Sequence, residues 1–397
     1  MELCKKIVLL ANLNTSNNIV MQSRIEKLHP IAEAKNIDAF LITSLSSVKY
    51  FSGYYFYFEY GLSPFQLLPA ALIVVPGKSS ALLLADNELQ QEENISSDIS
   101  IMSYHSYVYE TPLEFTNHFL VQLQNWFTEN NIKSGRIGVE ANHFPLSIAN
   151  LIQLKNPDIQ FVDIAAAIGS LRAVKDKDEI EAIRAACRLC DIGQAAVVKY
   201  ARAGITELEL FAEVRRKIDS SVGARVPLMA DLVSGASTAG GGGMPTNKTI
   251  KQGDLILSDL TPCLNGYWGD SCNTIFIGDA TAEQKKNYEL VKEALAIGIN
   301  AIRPGVQAKE IDRLMRDHTG NFPHHGGHGV GTVYHEEPRI VPYNNSALEP
   351  NMVIALEPAI YEKDYGIRLE HLVVVTETGC EILTNFQHCF EENSLKQ

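Results

Sequence analysis

The sequence predicts an α/β protein of two domains, the second built from two related halves, and three observations carry that reading. The 397 residues exceed what one hydrophobic core usually serves. Strand-like and helix-like stretches alternate up to about Ile164, as in an α/β domain. Beyond it, ARAGITELEL at 201–210 parallels IRPGVQAKEI at 302–311, with Arg202/Arg303, Gly204/Gly305, Ile205/Val306, Glu209/Glu310 and Leu210/Ile311 in step at a shift of 101 residues. Such a repeat predicts two βα-type halves facing one another across a pseudo-twofold axis, with any site at their junction drawing on both. The expected boundaries are a lead-in over 1–20, a first domain over 21–168 and a second over 169–397.

The elements follow in order. Ile25, Leu28 and Ile31 give an amphipathic helix, Ala39 to Thr43 a buried strand, then a turn and a second helix start. Ala70 to Val75 and Ser80 to Ala85 form a hairpin around Pro76-Gly77-Lys78. Phe115 to Phe127 reads as helix and Arg136 to Val139 as strand. Nothing in this half is catalytic in type, and the Tyr-rich segment Tyr50 to Tyr60 suits a loop surface or a partner contact. In the second half, Asp176 is an N-cap with Glu179 three residues on, and Ile180, Ile183, Cys187, Cys190 and Ala195 share a helical face that Gly204 ends. Thr206 with Glu209 caps the next helix.

Composition narrows the class. Apolar content of 46% with 20% charged residues is that of a soluble globular protein. A formal charge of -13 without clustered Lys or Arg excludes binding to a nucleic-acid backbone. Seven scattered cysteines, Cys4, Cys187, Cys190, Cys263, Cys272, Cys380 and Cys389, fit a reducing compartment. The Cys187/Cys190 pair belongs to helix packing, since no second pair completes a zinc site. The run Ile7 to Ala11 after Lys5-Lys6 is too short for an export signal, and no stretch approaches the ~18 apolar residues of a membrane span. A cytoplasmic location, away from membranes, is expected.

The chemistry gathers in four segments. Leu255-Ile256-Leu257 and Thr274 to Ile277 flank Asn265-Gly266, a hairpin-turn dipeptide. Folding there sets Asp259 and Asp270 opposite or diagonal, their Cβ atoms roughly 4.5–8 Å apart. Two half-buried carboxylates at that range need a cation, a shared proton or separate partners. HHGGHGVGTVYHEEP at 324–338 then brings His324, His325, His328 and His335 among glycines that permit close backbone approach. Glu357 stands at the end of the strand in MVIALEPAIY, and Glu370 inside the one in GIRLEHLVVV. Alternation turns Arg368 and Glu370 to one face and His371 to the other, and a salt bridge from Arg368 is the bland way to satisfy Glu370. Asp259, Asp270, His328, Glu357 and Glu370 make an oxygen-dominated set suited to manganese, magnesium, cobalt or iron, with zinc possible. Four carboxylates can hold two divalent ions about 3.5–4 Å apart, the arrangement that activates water against a carbonyl.

In their order and local signatures these residues resemble the pita-bread hydrolases, the family of methionine aminopeptidase, Xaa-Pro aminopeptidase, prolidase and creatinase. The matching features are Asp259 and Asp270 eleven apart, GHG around His328, His335 seven beyond, LEP around Glu357, RLE around Glu370 and the RAVKDKDEIEAIRAA entry. The resemblance covers the chain from Met21 and implies a creatinase-like N-terminal α/β domain followed by a pita-bread α+β domain with pseudo-twofold duplication. It implies that Asp259 binds one metal ion, that Asp270 and Glu370 bridge, and that His328 and Glu357 bind the other. Glu357 also serves as general base, His335 and Arg368 support the site or bind substrate, and His324 is an additional active-site histidine. By the same resemblance the cofactors are two divalent ions, manganese first, with cobalt, iron or zinc as alternatives. The substrate is a small peptide or peptide-like molecule cleaved at a C–N bond next to proline, and the assembly is a homodimer.

One departure stands out. The family peptidases carry HGxP before the first Asp strand, whereas SGASTAGGGGMPTNK aligns Pro245 and leaves Gly242 in the histidine's place, with open space expected there. SCNT follows Asp270 where TRT is common. Two other readings stay open: a creatinase-like or ectoine-hydrolase-like enzyme, or a lyase, acting on a small metabolite, and a metal-free binding protein on the same scaffold. Placing His at Gly242 tests this: a gain of peptidase activity would show that the departure narrows function.

Overall fold

Alternate residues along the strands of the first unit feed opposite cores, which explains why its strands read as continuous apolar runs. The computed structural model describes residues 24–57, 61, 63–89 and 95–388. The lead-in over 1–20, part of the Tyr-rich segment, Cys4 and Cys389 lie outside the described residues. The chain divides between Arg172 and Ala173 into two compact units.

In the first unit the elements run α1 (Leu28–Lys35), β1 (Ala39–Ile42), α2 (Leu45–Ser52), β2 (Ala70–Val75), β3 (Ser79–Ala85), β4 (Ser100–Tyr104), α3 (Phe115–Glu129), β5 (Gly135–Val139), α4 (Leu146–Lys155), β6 (Ile159–Asp163) and α5 (Ala165–Ala173). The expected helices, strands and hairpin of this half stand where the pattern placed them, but Tyr50, Phe51, Tyr54 and Phe56 of the Tyr-rich segment are buried in the core and do not form a loop surface. The sheet order is β4-β3-β2-β1-β5-β6, with β1, β5 and β6 parallel and β1-β2-β3 antiparallel. Leu41, Ile73 and Leu83 pack with Phe119, Trp126 and Ile148 on one face. Phe40, Leu72 and Leu82 pack with Leu28, Phe51 and Ile168 on the other.

The second unit continues with α6 (Lys177–Tyr200), α7 (Glu207–Val222), β7 (Leu228–Ser234), β8 (Leu255–Leu264), β9 (Tyr267–Trp268) and β10 (Cys272–Phe276). Its other half holds α8 (Ala282–Ala301), α9 (Ala308–Thr319), β11 (Gly327–Gly329), β12 (Glu336–Ile340), β13 (Val353–Leu356), β14 (Ala359–Tyr361), β15 (Gly366–Arg368), β16 (His371–Val375) and β17 (Cys380–Ile382). The sheets are β10-β8-β7, β12-β11-β13-β16-β17 and the ribbon β14-β15. Capping boxes at Asp176/Glu179 and Thr206/Glu209 start α6 and α7. Cys187 and Cys190 are buried on α6, as helix packing requires. Ala195, expected on the buried face, is exposed, because the helix turns Gln194 inward instead.

The duplication is written in the backbone. Gly204 N donates to Ile250 O, Glu207 N to Lys248 O and Leu208 N to Thr246 O; correspondingly Gly305 N donates to Leu348 O, Ala308 N to Ser346 O and Lys309 N to Asn344 O. The return bonds, Ile250 N to Ile205 O and Leu348 N to Val306 O, repeat too. Gly204 and Gly305 open both motifs at positive φ, 94° and 85°. Each half is thus a helix pair whose second helix is pinned at its start to a returning segment.

Glu207, at the start of α7, is buried and clamps the base of the glycine-rich loop. Its Oε1 accepts from Ser234 N and Ser234 Oγ, both at 2.8 Å, and its Oε2 from Thr246 N at 3.0 Å and Thr246 Oγ1 at 2.8 Å. Glu207→Ala strands the buried Ser234 donors, whereas the exposed Thr246 can turn to water, and is expected to lower unfolding stability by about 1–3 kcal/mol. A denaturant midpoint unchanged from wild type would show that the clamp carries no such weight.

Candidate metal centre

The carboxylates meet because of strand register. Cys272 pairs with Asp259 on β10-β8, so Asp270, two residues earlier, lies diagonal to Asp259, as the hairpin predicted. The turn between them takes positive φ at Asn265 (51°) and Gly266 (82°). Thr261 Oγ1 donates to Asp270 Oδ1 at 3.0 Å. Beneath both, the buried Gln194 Nε2 donates to Ser258 O and Ser271 O, each at 3.1 Å, while its Oε1 accepts from Ser258 Oγ at 2.9 Å. One amide therefore fixes the chain neighbours of Asp259 and of Asp270.

In the other half His328 pairs with Ala355 across β11-β13, and Ala355 with Leu372 across β13-β16. Glu357 follows Ala355 by two residues and Glu370 precedes Leu372 by two, so the three functional side chains gather at the same end of these strands. Glu370 does not sit inside a strand: residues 369–370 link β15 to β16, and Glu370 N donates to Cys272 O at 2.9 Å. The departure from strand geometry lets this link stitch the second half to the start of β10.

Donor atoms of Asp270, His328 and Glu370 lie within 4.8 Å of one another. His328 Nε2 is 3.7 Å from Asp270 Oδ2 and 3.5 Å from Glu357 Oε1. Asp259 stands beside this group, held by Arg368 Nη2 at 2.6 Å. Arg368 Nε is also 3.8 Å from Glu357 Oε2, and Nη1 donates to Gly241 O and, at 3.1 Å, to Tyr361 Oη. The bland expectation of an Arg368 to Glu370 bridge is thus corrected: among the described residues the arginine's ion pairs go to Asp259, Glu357 and Asp231. β15 returns the chain beside β14, where Arg368 pairs with Ala359, and there the guanidinium reaches the other half's aspartate.

Burial drives Asp259 up to about 6 despite Arg368 beside it. Burial, then repulsion from Asp259 and Glu357, holds Asp270 well above the ordinary carboxylate range. Burial, then Asp270 and Asp259, does the same to Glu370. Glu357 differs: burial pushes it up, but His325, His328 and Arg368 outweigh that and hold it at about 2. Burial lowers His328 to about 4, leaving its imidazole neutral at neutral pH. Its Nδ1 bonds to the Gly329 carbonyl at 3.1 Å, which makes Nδ1 the donor and turns the Nε2 lone pair on the carboxylates. A lone pair facing carboxylate oxygens is repulsive unless a cation lies between them. Glu370 Oε2 is moreover buried with no hydrogen-bond partner. The residues therefore fit divalent cations, by donor type and by unmet need.

Around the centre, His325 Nε2 is 2.9 Å from Glu357 Oε1, and the His335 ring lies 4.2 Å from that of His328 at the exposed edge. His324 Nδ1 bonds to the His325 carbonyl at 2.8 Å, so its Nε2 accepts from Tyr361 Oη at 2.9 Å. The chain His324-Tyr361-Arg368 is continuous. Sequence reasoning missed Tyr361, Gln194 and Asp231, and gave His325 no separate role. The signal for Asp231 was an acid inside the apolar ADLVS run. Gly242 also departs from expectation: a Cβ there would run into the Asp231 carboxylate, with Cγ at 2.7 Å, so the place is filled and is not open space. Gly242→His therefore has to displace Asp231 first.

With this geometry in place, the comparisons decide the family. Residues 181–377 match Metallopeptidase family M24, and residues 24–174 match the Creatinase/Prolidase N-terminal domain. The Xaa-Pro dipeptidase of Pyrococcus furiosus is 31% identical over 92% of this chain and 98% of its own. The chain belongs to metallopeptidase family M24. This M24 enzyme, a hydrolase, is also similar in structure to the X-Pro aminopeptidase of Thermotoga maritima, at TM-score 0.79 and 27% identity over 92% of this chain and 99% of that one. The prolidase of Pyrococcus horikoshii matches at TM-score 0.78 and 25% identity, over 92% and 99%.

The raised pKa of Glu370 has a thermodynamic consequence in metal-free protein. Because the folded value lies above the unfolded one, the folded state binds the extra proton, and stability is lost as pH climbs past the unfolded value. Glu370→Gln is expected to raise the metal-free Tm near neutral pH by a few degrees, the scale of about 1 kcal/mol. The gain should vanish near pH 4, where wild type holds its proton. Thermal melts of both proteins in chelator across that range test the sign, and a variant less stable at every pH contradicts it.

Proposed function

We propose that this M24 chain is a dinuclear metal-dependent Xaa-Pro peptidase, of dipeptidase or aminopeptidase type, using two divalent ions with manganese the first choice. The observation that carries the reading is the convergence of Asp259, Asp270, His328, Glu357 and Glu370 from two halves of a duplicated fold onto one buried pocket. The relatives named as Xaa-Pro dipeptidase and X-Pro aminopeptidase support the substrate class.

Asp259 would hold one ion and His328 with Glu357 the other, with Asp270 and Glu370 available to both. When bound, the ions acidify water and polarise the carbonyl of the scissile bond. Glu357 Oε2, between Arg368 Nε and His324 Nδ1 at 3.8 Å each, takes the proton of the attacking water and passes it to the leaving nitrogen. Arg368 keeps that carboxylate ionised and oriented. His335, at the exposed edge, donates to charge that develops on the carbonyl oxygen. The His324-Tyr361-Arg368 chain fixes the wall on which the substrate lies. A homodimer in the cytoplasm completes the proposal, resting on family resemblance and on the cysteine pattern respectively.

A second reading has its own observation. Asp231 occupies the place that an imidazole at position 242 would need, which suits a small non-peptide amide lacking an extended chain.

Manganese-loaded protein is expected to cleave Xaa-Pro dipeptides or longer Xaa-Pro peptides in preference to a panel of small amides; cleavage of the amides alone transfers the function to the second reading. Asp270→Ala and Glu370→Ala should abolish turnover and release metal. His335→Ala should retain metal stoichiometry while kcat falls ~100-fold. Equal metal loss in all three variants removes the division between ligands and His335.

A further inference from the structure

Resting on the Xaa-Pro reading for its choice of substrates, the structure points to a specificity device: we propose that Asp231, seated against Gly242, selects substrates bearing a cationic side chain, ammonium or guanidinium, on the residue N-terminal to the cleaved bond. Three observations carry it.

Position comes first. Asp231 pairs directly with Asp259 across β7-β8, so it shares a flank with a ligand of the centre. Its side chain is 40% exposed against 18% for Asp259 and 9% for Glu357, which places it at the opening of the pocket.

The second is the seat. The Asp231 Cγ lies 2.7 Å from the point where a Cβ of residue 242 would stand, so the carboxylate rests on bare backbone that only glycine provides. The loop is held to β7 by Leu232 N donating to Gly243 O at 3.0 Å, and Gly241 and Gly243 reach this path at φ of 85° and 150°. Arg368 Nη1 donates to Gly241 O from the other side. The carboxylate is thus presented by a fixed loop.

The third is charge. Among the described residues Arg368 is the ion-pair partner of Asp231, at 3.8 Å, but the same Nη2 lies 2.6 Å from Asp259. One guanidinium faces three carboxylates here, Asp231, Asp259 and Glu357. The outermost, Asp231, is the most solvent-facing of the three and lies 3.8 Å from its guanidinium partner, beyond hydrogen-bond reach, so its carboxylate oxygens stay open to an incoming cation.

The probes are Lys-Pro and norleucine-Pro dipeptides, alike in shape and different in charge. In manganese-loaded wild type, kcat/KM should favour Lys-Pro by about ten-fold, the ratio that 1.4 kcal/mol gives. Asp231→Asn should bring the two within about two-fold of each other, by a larger loss on Lys-Pro than on norleucine-Pro. Gly242→Ala, which keeps the charge but drives the carboxylate from its seat, should lower the preference as well; retention of the full preference there overturns the seat. Calorimetric titration of both dipeptides into chelated protein, where nothing is hydrolysed, reads the same preference as a ratio of Kd. A loaded enzyme that cleaves neither peptide counts against the Xaa-Pro reading, while the Kd ratio still decides the role of Asp231. A ratio equal in wild type and Asp231→Asn, by either readout, overturns the proposal. Unfolding curves for both variants establish that each is folded.

Discussion

Repulsion among buried carboxylates is the constraint on which the second unit depends. Asp259, Asp270, Glu357 and Glu370 share one pocket, where burial and mutual charge raise Asp259, Asp270 and Glu370. A single guanidinium, Arg368, stands among them with fixed charge. No arrangement chosen for stability alone collects like charges in a low dielectric, where their repulsion is strongest. The surrounding structure accordingly over-determines them: Gln194 under the aspartate hairpin, Glu207 at the loop base, Thr261 on Asp270 and the Cys272 carbonyl on Glu370 N. Each involves a buried group that is hydrogen-bonded in this arrangement.

The duplicated backbone explains why the ligands divide as they do. Each half offers a helix pair pinned to a returning segment and a small antiparallel sheet, and the ligands sit where the two sheets approach. The halves then specialise. The first contributes an acidic hairpin, while the second contributes Glu357 and Glu370 together with His328 and the one fixed cation among them, Arg368. Glu357 shows the result: among these four carboxylates it alone is driven below its ordinary range, because His325, His328 and Arg368 surround it. That keeps it an acceptor of protons at neutral pH while its neighbours await cations.

Much of this was legible in the sequence where the determinant is local. Asn265-Gly266 sets the hairpin, and the hairpin register sets Asp259 diagonal to Asp270; capping boxes mark both helix starts; LEP places Glu357 at a strand end. What escaped is contact between segments far apart in the chain. Gln194 meets Ser258 and Ser271 over 64 and 77 residues, and nothing in the helical pattern distinguishes it from Ala195 beside it. Strand alternation put Arg368 and Glu370 on one face and left a salt bridge between them as the bland alternative, yet the guanidinium reaches Asp259, 109 residues earlier. Periodicity describes regular elements, whereas the pocket is built at their ends.

Arg368 also means that the ligand shell and the substrate wall are not independent. Its guanidinium touches Asp259 within the centre, Tyr361 and Gly241 on the wall, and lies near Asp231 at the opening. A cation beside Asp231 and a cation at Asp259 each change what Arg368 offers to the other carboxylate, so the two are coupled, and equally in both directions. Coulomb coupling over such distances is appreciable near a protein surface and small in bulk water, so the exposure of Asp231 governs how strongly the two sites sense each other. The glycine-rich loop bears on both variables at once: it seats the carboxylate at the opening and, through the Gly241 carbonyl, fixes the arginine that reaches the metal ligands.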